Sequence, residues 1–309
     1  MSPLKLCFAV LGLSISLGAG ALPQSQLSFG VKVNGIENRY EVFGVFAVPG
    51  QRLNIELLDL TAEGAQFHFD DRVLHPQGGS LSVRMPENPG THRLEISTRS
   101  GEEMRLNVFV MWTESGLATD VLNGYRLGAY PGKPLKGLTI YEAPRAFIEA
   151  TPENADTRVS PNFTLGHFLC KQSSGFPKYL VLRPELIQKL EIVLSRLNAD
   201  NPGVTDLTVM SGFRTPAYNR SIGNGEYSRH VWGDAADVFV DMDRNGAMDD
   251  LNRDGRISRA DSEWLATFVD RLERNGTFGE SVGGIGIYDS TPSHGPFVHI
   301  DARGFKARW

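Results

Sequence analysis

His230-Val231-Trp232-Gly233-Asp234-Ala235-Ala236-Asp237 sets a histidine ahead of an aspartate that leads into an apolar segment. Near the far end of the chain, Phe297-Val298-His299-Ile300-Asp301 places a second histidine in a strand-like apolar setting. Two imidazoles and one carboxylate form the three-ligand set of a catalytic zinc, which keeps a fourth position open for water. Taken singly, each residue also fits an ordinary role. His230 suits a loop, His299 a core with satisfied hydrogen bonds, and Asp237 a buried structural acid, provided a partner compensates its burial.

The surroundings of these two runs predict an α+β domain. Leu207-Thr208-Val209-Met210 reads as a buried strand running into Ser211-Gly212-Phe213-Arg214, and residues 236–240, 285–288 and 297–301 read as further strands. Pro184 opens an amphipathic helix whose Leu186, Leu190, Val193, Leu194 and Leu197 share one face. Ser258 caps a second helix over 259–275, with Asp261 completing a capping-box pair. Helices mixed with strands that lack regular crossovers predict an antiparallel sheet.

Ahead of this domain, Val31-Lys32-Val33, residues 52–57, 80–84, 92–96 and 106–110 alternate apolar and polar side chains. Asn34-Gly35, Pro49-Gly50, Gln77-Gly78-Gly79 and Pro89-Gly90 punctuate them as turns. That pattern predicts a small all-β sandwich, immunoglobulin-like in class, over 22–115. His68 and His75 within it suit surface or packing positions. A Gly/Pro/Tyr-rich connector follows over 116–157, and the α+β domain takes 158–309.

Ser211-Gly212-Phe213-Arg214-Thr215-Pro216-Ala217-Tyr218-Asn219, then Ser228-Arg229-His230, Gly233, Ala235, Asp237, Gly283-Gly284 and Phe297-Val298-His299-Ile300-Asp301 resemble the zinc D-Ala-D-Ala carboxypeptidase family. Its fold is similar to that of murein endopeptidases and the hedgehog signalling domain, and the resemblance spans 159–309. It implies a hedgehog-like zinc domain in which His230, Asp237 and His299 hold the metal. Arg214 matches the family's substrate-binding arginine, whose planar fork suits a carboxylate or carbonyl. Ser228 matches a serine that contacts substrate, although a loop-stabilising hydroxyl explains it equally.

Many members carry an acid three residues before the last zinc histidine as general base, and here that position is Pro296. Asp301 and His294 are the nearest replacements. Asp301 shares the strand face of His299, and either accepts a water proton or holds the imidazole from behind. His294 sits in a Ser-His-Gly-Pro turn from which it would act as acid or oxyanion donor.

An acidic insertion over 241–261 follows the strand that carries Asp237. Asp250, Asn252, Asp254, Arg256 (through its carbonyl), Ser258 and Asp261 match an EF-hand-type calcium loop, with Gly255 at the sharp turn. Asp241, Asp243, Asn245 and Asp249 form a second, less regular set. Solvated turn-forming Asp and Asn residues are the ordinary alternative. Calcium there is expected to order the zinc strand.

Residues 1–21 read as an export signal: Lys5, an apolar run from Leu11 to Leu17, and Ala19-Gly20-Ala21 as a cleavage site. The expected location is therefore periplasmic or secreted, with no membrane span. Cleavage leaves Cys170 as the single cysteine, so no intramolecular disulfide forms. A net charge of -5 argues against nucleic acid as partner. The combined expectation is a zinc peptidase, carboxypeptidase or endopeptidase, cutting beside a D-amino acid in peptidoglycan stem peptides. A non-catalytic zinc/calcium surface module and a general secreted metallopeptidase are the competing readings.

Overall fold

The computed structural model describes residues 26–61, 64–113 and 120–309, so the expected export signal lies outside the described residues. The first part of the chain forms nine strands: β1 (Gln26–Val33), β2 (Ile36–Tyr40), β3 (Val42–Ala47), β4 (Arg52–Leu58), β5 (Ala65–Phe69), β6 (Arg72–Leu74), β7 (Ser80–Arg84), β8 (Gly90–Thr98) and β9 (Glu103–Val110). They make two sheets, ordered β2-β1-β4-β7 and β3-β9-β8-β5-β6. Alternation does what pleating requires: Leu53 and Ile55 of β4 and Leu81 and Val83 of β7 are buried, while the residues between them face water.

Strand β3 breaks that rule. Val42, Phe43, Gly44, Val45 and Ala47 are all buried, because β3 runs parallel to β9 along one edge and meets the rest of the chain on the other. Gly44 N donates to Val159 O at 2.8 Å. A Cβ on Gly44 would sit 3.2 Å from that of Val159, so the close approach favours glycine. With no polar face to show, β3 has no period-2 signal to read.

The expected connector is built into the fold. β10 (Trp112–Thr113) pairs with β13 (Ala146–Ala150), which also pairs with β14 (Lys178–Leu180). Between them lie the small hairpin of β11 (Val121–Leu122) and β12 (Tyr125–Arg126) and two short 3-10 turns. A continuous set of buried side chains links Phe29, Val45 and Phe109 on one side to Phe168, Leu190 and Val238 on the other.

The remaining elements are α1 (Pro184–Asp200), β15 (Thr208–Ser211), α2 (Pro216–Ser221), β16 (Ala235–Phe239), α3 (Arg259–Arg274), β17 (Gly284–Tyr288), β18 (Phe297–Asp301) and β19 (Ala307–Arg308). Together with the first part they make a mixed α+β chain. Its last sheet has the order β15-β16-β18-β17-β19, antiparallel except for the parallel β17–β19 pair. α1 buries Leu186, Leu190, Val193, Leu194 and Leu197, the face its spacing marks out. α3 starts at Ser258, where both bonds of the capping box with Asp261 form, and it packs on β17 and β18 through Leu265, Val269 and Leu272. Among the described residues no helix is long and apolar enough to cross a membrane.

Candidate metal centre

Sheet register decides what meets at the centre. Asp237 on β16 lies opposite Ser211 on β15 and opposite His299 on β18, and His299 in turn lies opposite Gly286 on β17. One row of side chains therefore crosses four strands, each roughly 4.8 Å from the next. His230 arrives from outside the sheet, on a short 3-10 turn over Arg229–Trp232.

That turn is clamped on both sides. Gly233 ends it at φ +73°, and its bare Cα lies where a Cβ would be 2.2 Å from Val181 O. Its carbonyl accepts from Arg183 N at 2.9 Å. Trp232 is fully buried among Tyr130, Tyr141 and Tyr227, and its Nε1 donates to Glu142 O at 2.9 Å. Arg229 grips Asp234 with Nε and Nη2 and gives Nη1 to Ile140 O at 3.0 Å. The segment expected to be a connector thus fixes the loop that carries His230.

His230 Nε2 and His299 Nδ1 each lie 3.0 Å from Asp237 Oδ1, and 3.1 Å from one another. Donor atoms at 2.0–2.1 Å from a tetrahedral zinc stand roughly 3.3 Å apart, so the trio fits such an ion. Both imidazoles are held with a lone pair turned to that point. His230 Nδ1 donates to Gly212 O at 2.7 Å, leaving Nε2 as the acceptor. His299 is held the other way round: its Nε2 faces Asp301 Oδ2 at 3.0 Å, leaving Nδ1. Asp237 gives one oxygen to the trio and the other to Arg214 Nη2, while Arg214 Nε donates to Ser211 Oγ at 2.9 Å.

The charges agree with this division. Burial works to raise Asp237, yet the facing His230 and His299 hold its carboxyl far below the usual carboxylate range. Burial pushes His230 below its ordinary value, and its charge attraction to Asp237 does not make up the difference. His299 is buried too, but hydrogen bonds to Asp237 and Asp301 lift it to about 9. A zinc ion held there would take the place of any proton at Nδ1.

Asp301 stands behind His299, on the side away from His230 and Asp237. It is fully buried, and Gly284 N, Arg303 N and the Arg303 guanidinium surround its oxygens. Of the two roles open to it, this position suits holding the imidazole and turns it away from water at the metal. Arg214 also departs from a purely substrate-facing role, since one nitrogen is engaged by Asp237. His294 touches none of the trio: it is half-buried, with Nδ1 2.8 Å from Gly295 O and its ring 5.0 Å from that of Phe297. Ser228 is half-buried at the head of the His230 turn. Among the described residues, Asp301 is the one carboxylate besides Asp237 that touches the trio.

The acidic insertion forms two adjoining loops lined by Asp and Asn side chains. Carboxylate oxygens of Asp241, Asp243 and Asp249 lie within 4.8 Å of one another. Asp241 also accepts from Asn245 N and Gly246 N at 3.0 and 2.9 Å. Asp250 accepts from Asp254 N and Gly255 N, and Asn252 and Asp254 bond within the same loop. Arg256 N donates to Asp254, and Ser258 Oγ accepts from Ala260 N. Asp261, at the twelfth position, turns back onto the start of that loop. It is fully buried, and its oxygens accept from Leu251 N, Asn252 N and Ser258 N.

Several contributors carry no sequence signal of their own: Gly212 O, Ser211 Oγ, Arg303 and the aromatic clamp. A carbonyl is anonymous in sequence, and Arg303 two residues beyond Asp301 is a spacing with many other uses. Residues 161–261 match a family model described as Peptidase M15. The match includes His230, Asp237 and the acidic insertion and stops ahead of His299. Peptidases of that family are zinc-dependent, which agrees with the donor set found here. No curated protein matches this chain.

Proposed function

We propose that this protein is a zinc-dependent peptidase that cuts an amide bond beside a D-amino acid in peptidoglycan stem peptides. The observation that carries the proposal is the convergence of Asp237 Oδ1, His230 Nε2 and His299 Nδ1 at 3.0–3.1 Å with both imidazole tautomers fixed. The Peptidase M15 match over 161–261 supports the same chemistry. A zinc ion held there supplies a water ionised near neutral pH and a Lewis acid toward a carbonyl. Asp301 and Gly212 O hold the two imidazoles, and Arg214 neutralises the second oxygen of Asp237. Arg214 Nη1 has no hydrogen-bond partner among the described residues, and it is the nitrogen we assign to a substrate carboxylate or carbonyl. Ser228 is assigned to the substrate side by resemblance.

Zinc-loaded protein incubated with purified muropeptides should release a shortened stem peptide, and His230→Ala should release none and bind zinc poorly. A product that persists in His230→Ala would refute the metal role. Binding of muropeptides with no cleavage would favour a non-catalytic recognition module instead. The converging carboxylates of Asp241, Asp243 and Asp249 favour calcium as a second ion, placed on the loop that leaves β16. Calcium added to metal-free protein should then raise its melting temperature, and Asp243→Ala should abolish the rise. An equal rise in both proteins would remove calcium from this loop.

A further inference from the structure

One large aromatic side chain beside the trio is not explained by the core. Trp309 is 47 % exposed, yet its backbone and indole are held by several neighbours. Its backbone bonds to β17 through Ile287 N to Trp309 O at 3.0 Å and Trp309 N to Ile285 O at 3.3 Å. Its Nε1 donates to Tyr288 Oη at 2.8 Å. The Arg303 guanidinium stands 5.5 Å from its ring, and its ring centroid is 5.1 Å from that of His299, tilted by 48°. The sheet makes room for it: Cβ atoms on Gly284 or Gly286 would come 3.0 and 2.5 Å from the indole. Two glycines two apart on one strand leave a bare strip, and the indole lies along it.

Strand order gives these groups a sequence in space. From one side of the sheet to the other come Arg214, Asp237, His299 and then Trp309, one strand or so apart. We infer that Trp309 is a substrate-positioning wall: its half-exposed indole packs on the aliphatic side of the stem-peptide residue that lies across the metal from Arg214. The inference rests on the peptidase reading above. A ring of this size ordinarily buries its area, and holding one half-open beside a metal donor gives a flat apolar surface for a ligand. Charge at one end and an apolar wall at the other fix the direction in which a short peptide crosses the metal. The alanine-rich stem peptide, with small methyl side chains and a terminal carboxylate, suits both ends.

The test uses the full zinc-loaded chain and a soluble disaccharide-pentapeptide. Trp309→Ala should raise KM about tenfold with kcat changed far less, and Trp309→Phe should restore most of the loss. Zinc content should stay at the wild-type level in both. With 5-fluorotryptophan incorporated, the fluorine signal missing from Trp309→Phe should shift when the muropeptide is added to wild type. A KM unchanged in Trp309→Ala, zinc lost in step with activity, or a Trp309 signal that ignores the muropeptide would each overturn the inference. If the wild type cleaves nothing while the signal still shifts, the wall stands and the peptidase reading falls. Cleavage with a silent Trp309 has the opposite meaning.

Discussion

Two imidazoles that face one point through different nitrogens depend on what stands behind each ring. For His230 that is a backbone carbonyl, which no side-chain substitution removes. His299 depends on Asp301, and Asp301 on Arg303. Asp301→Asn keeps the shape but loses the charge that favours an Nε2–H donor. We expect zinc affinity to fall about 10- to 100-fold, read by chelator competition, with the circular dichroism spectrum unchanged. Affinity equal to wild type would show that the imidazole is oriented by packing alone. At this scale the sequence was informative where a residue type is scarce and chemically committed. His230, Asp237 and His299 were all legible, and they do meet. The role of Asp301 was not, because a strand face places it near His299 without saying which ring nitrogen it would touch.

α3 supports the metal sheet through a buried ion pair. Glu273, near its end, is fully buried and accepts from Lys189 Nζ at 3.2 Å and Gly283 N at 2.9 Å, with Arg308 Nη2 at 2.6 Å. It thereby ties α1, α3, the residue just ahead of β17, and β19 together. Burial alone would raise its pKa, but Arg308, Gly283 N and Lys189 pull it below the ordinary glutamate value. A folded-state value lower than the unfolded one stabilises the fold above the unfolded pKa of about 4.3, and that contribution disappears as pH falls through the folded value. Wild type should therefore lose stability steeply below about pH 4, and Glu273→Gln should show a flatter acid limb. At pH 7 the variant leaves Lys189 buried against a neutral amide, at a cost of about 3–5 kcal/mol in urea unfolding. Matching acid limbs in the two proteins would show that Glu273 is not the group responsible. Elements with one wet face, such as β4, β7 and α1, were plain in the sequence. β3, buried on both faces, and the short β13 and β14 were not, since their partners lie far along the chain.

Across the whole molecule, the connector over 116–157 braces the site. Tyr130, Tyr141 and Glu142 reach Trp232 beside His230, and β13 is hydrogen-bonded to strands before and after it. Sequence composition read this segment as a connector because it is rich in Gly, Pro and Tyr, and composition is blind to burial contributed by distant residues. The distance along the chain between the two histidines has a consequence for the order of events during synthesis. His299 follows His230 by 69 residues, which at roughly 5–20 residues per second is several seconds of translation. A nascent polypeptide halted in that interval owns two donors and no coordination pocket. Capture of an ion by the complete trio therefore waits until His299 has been made.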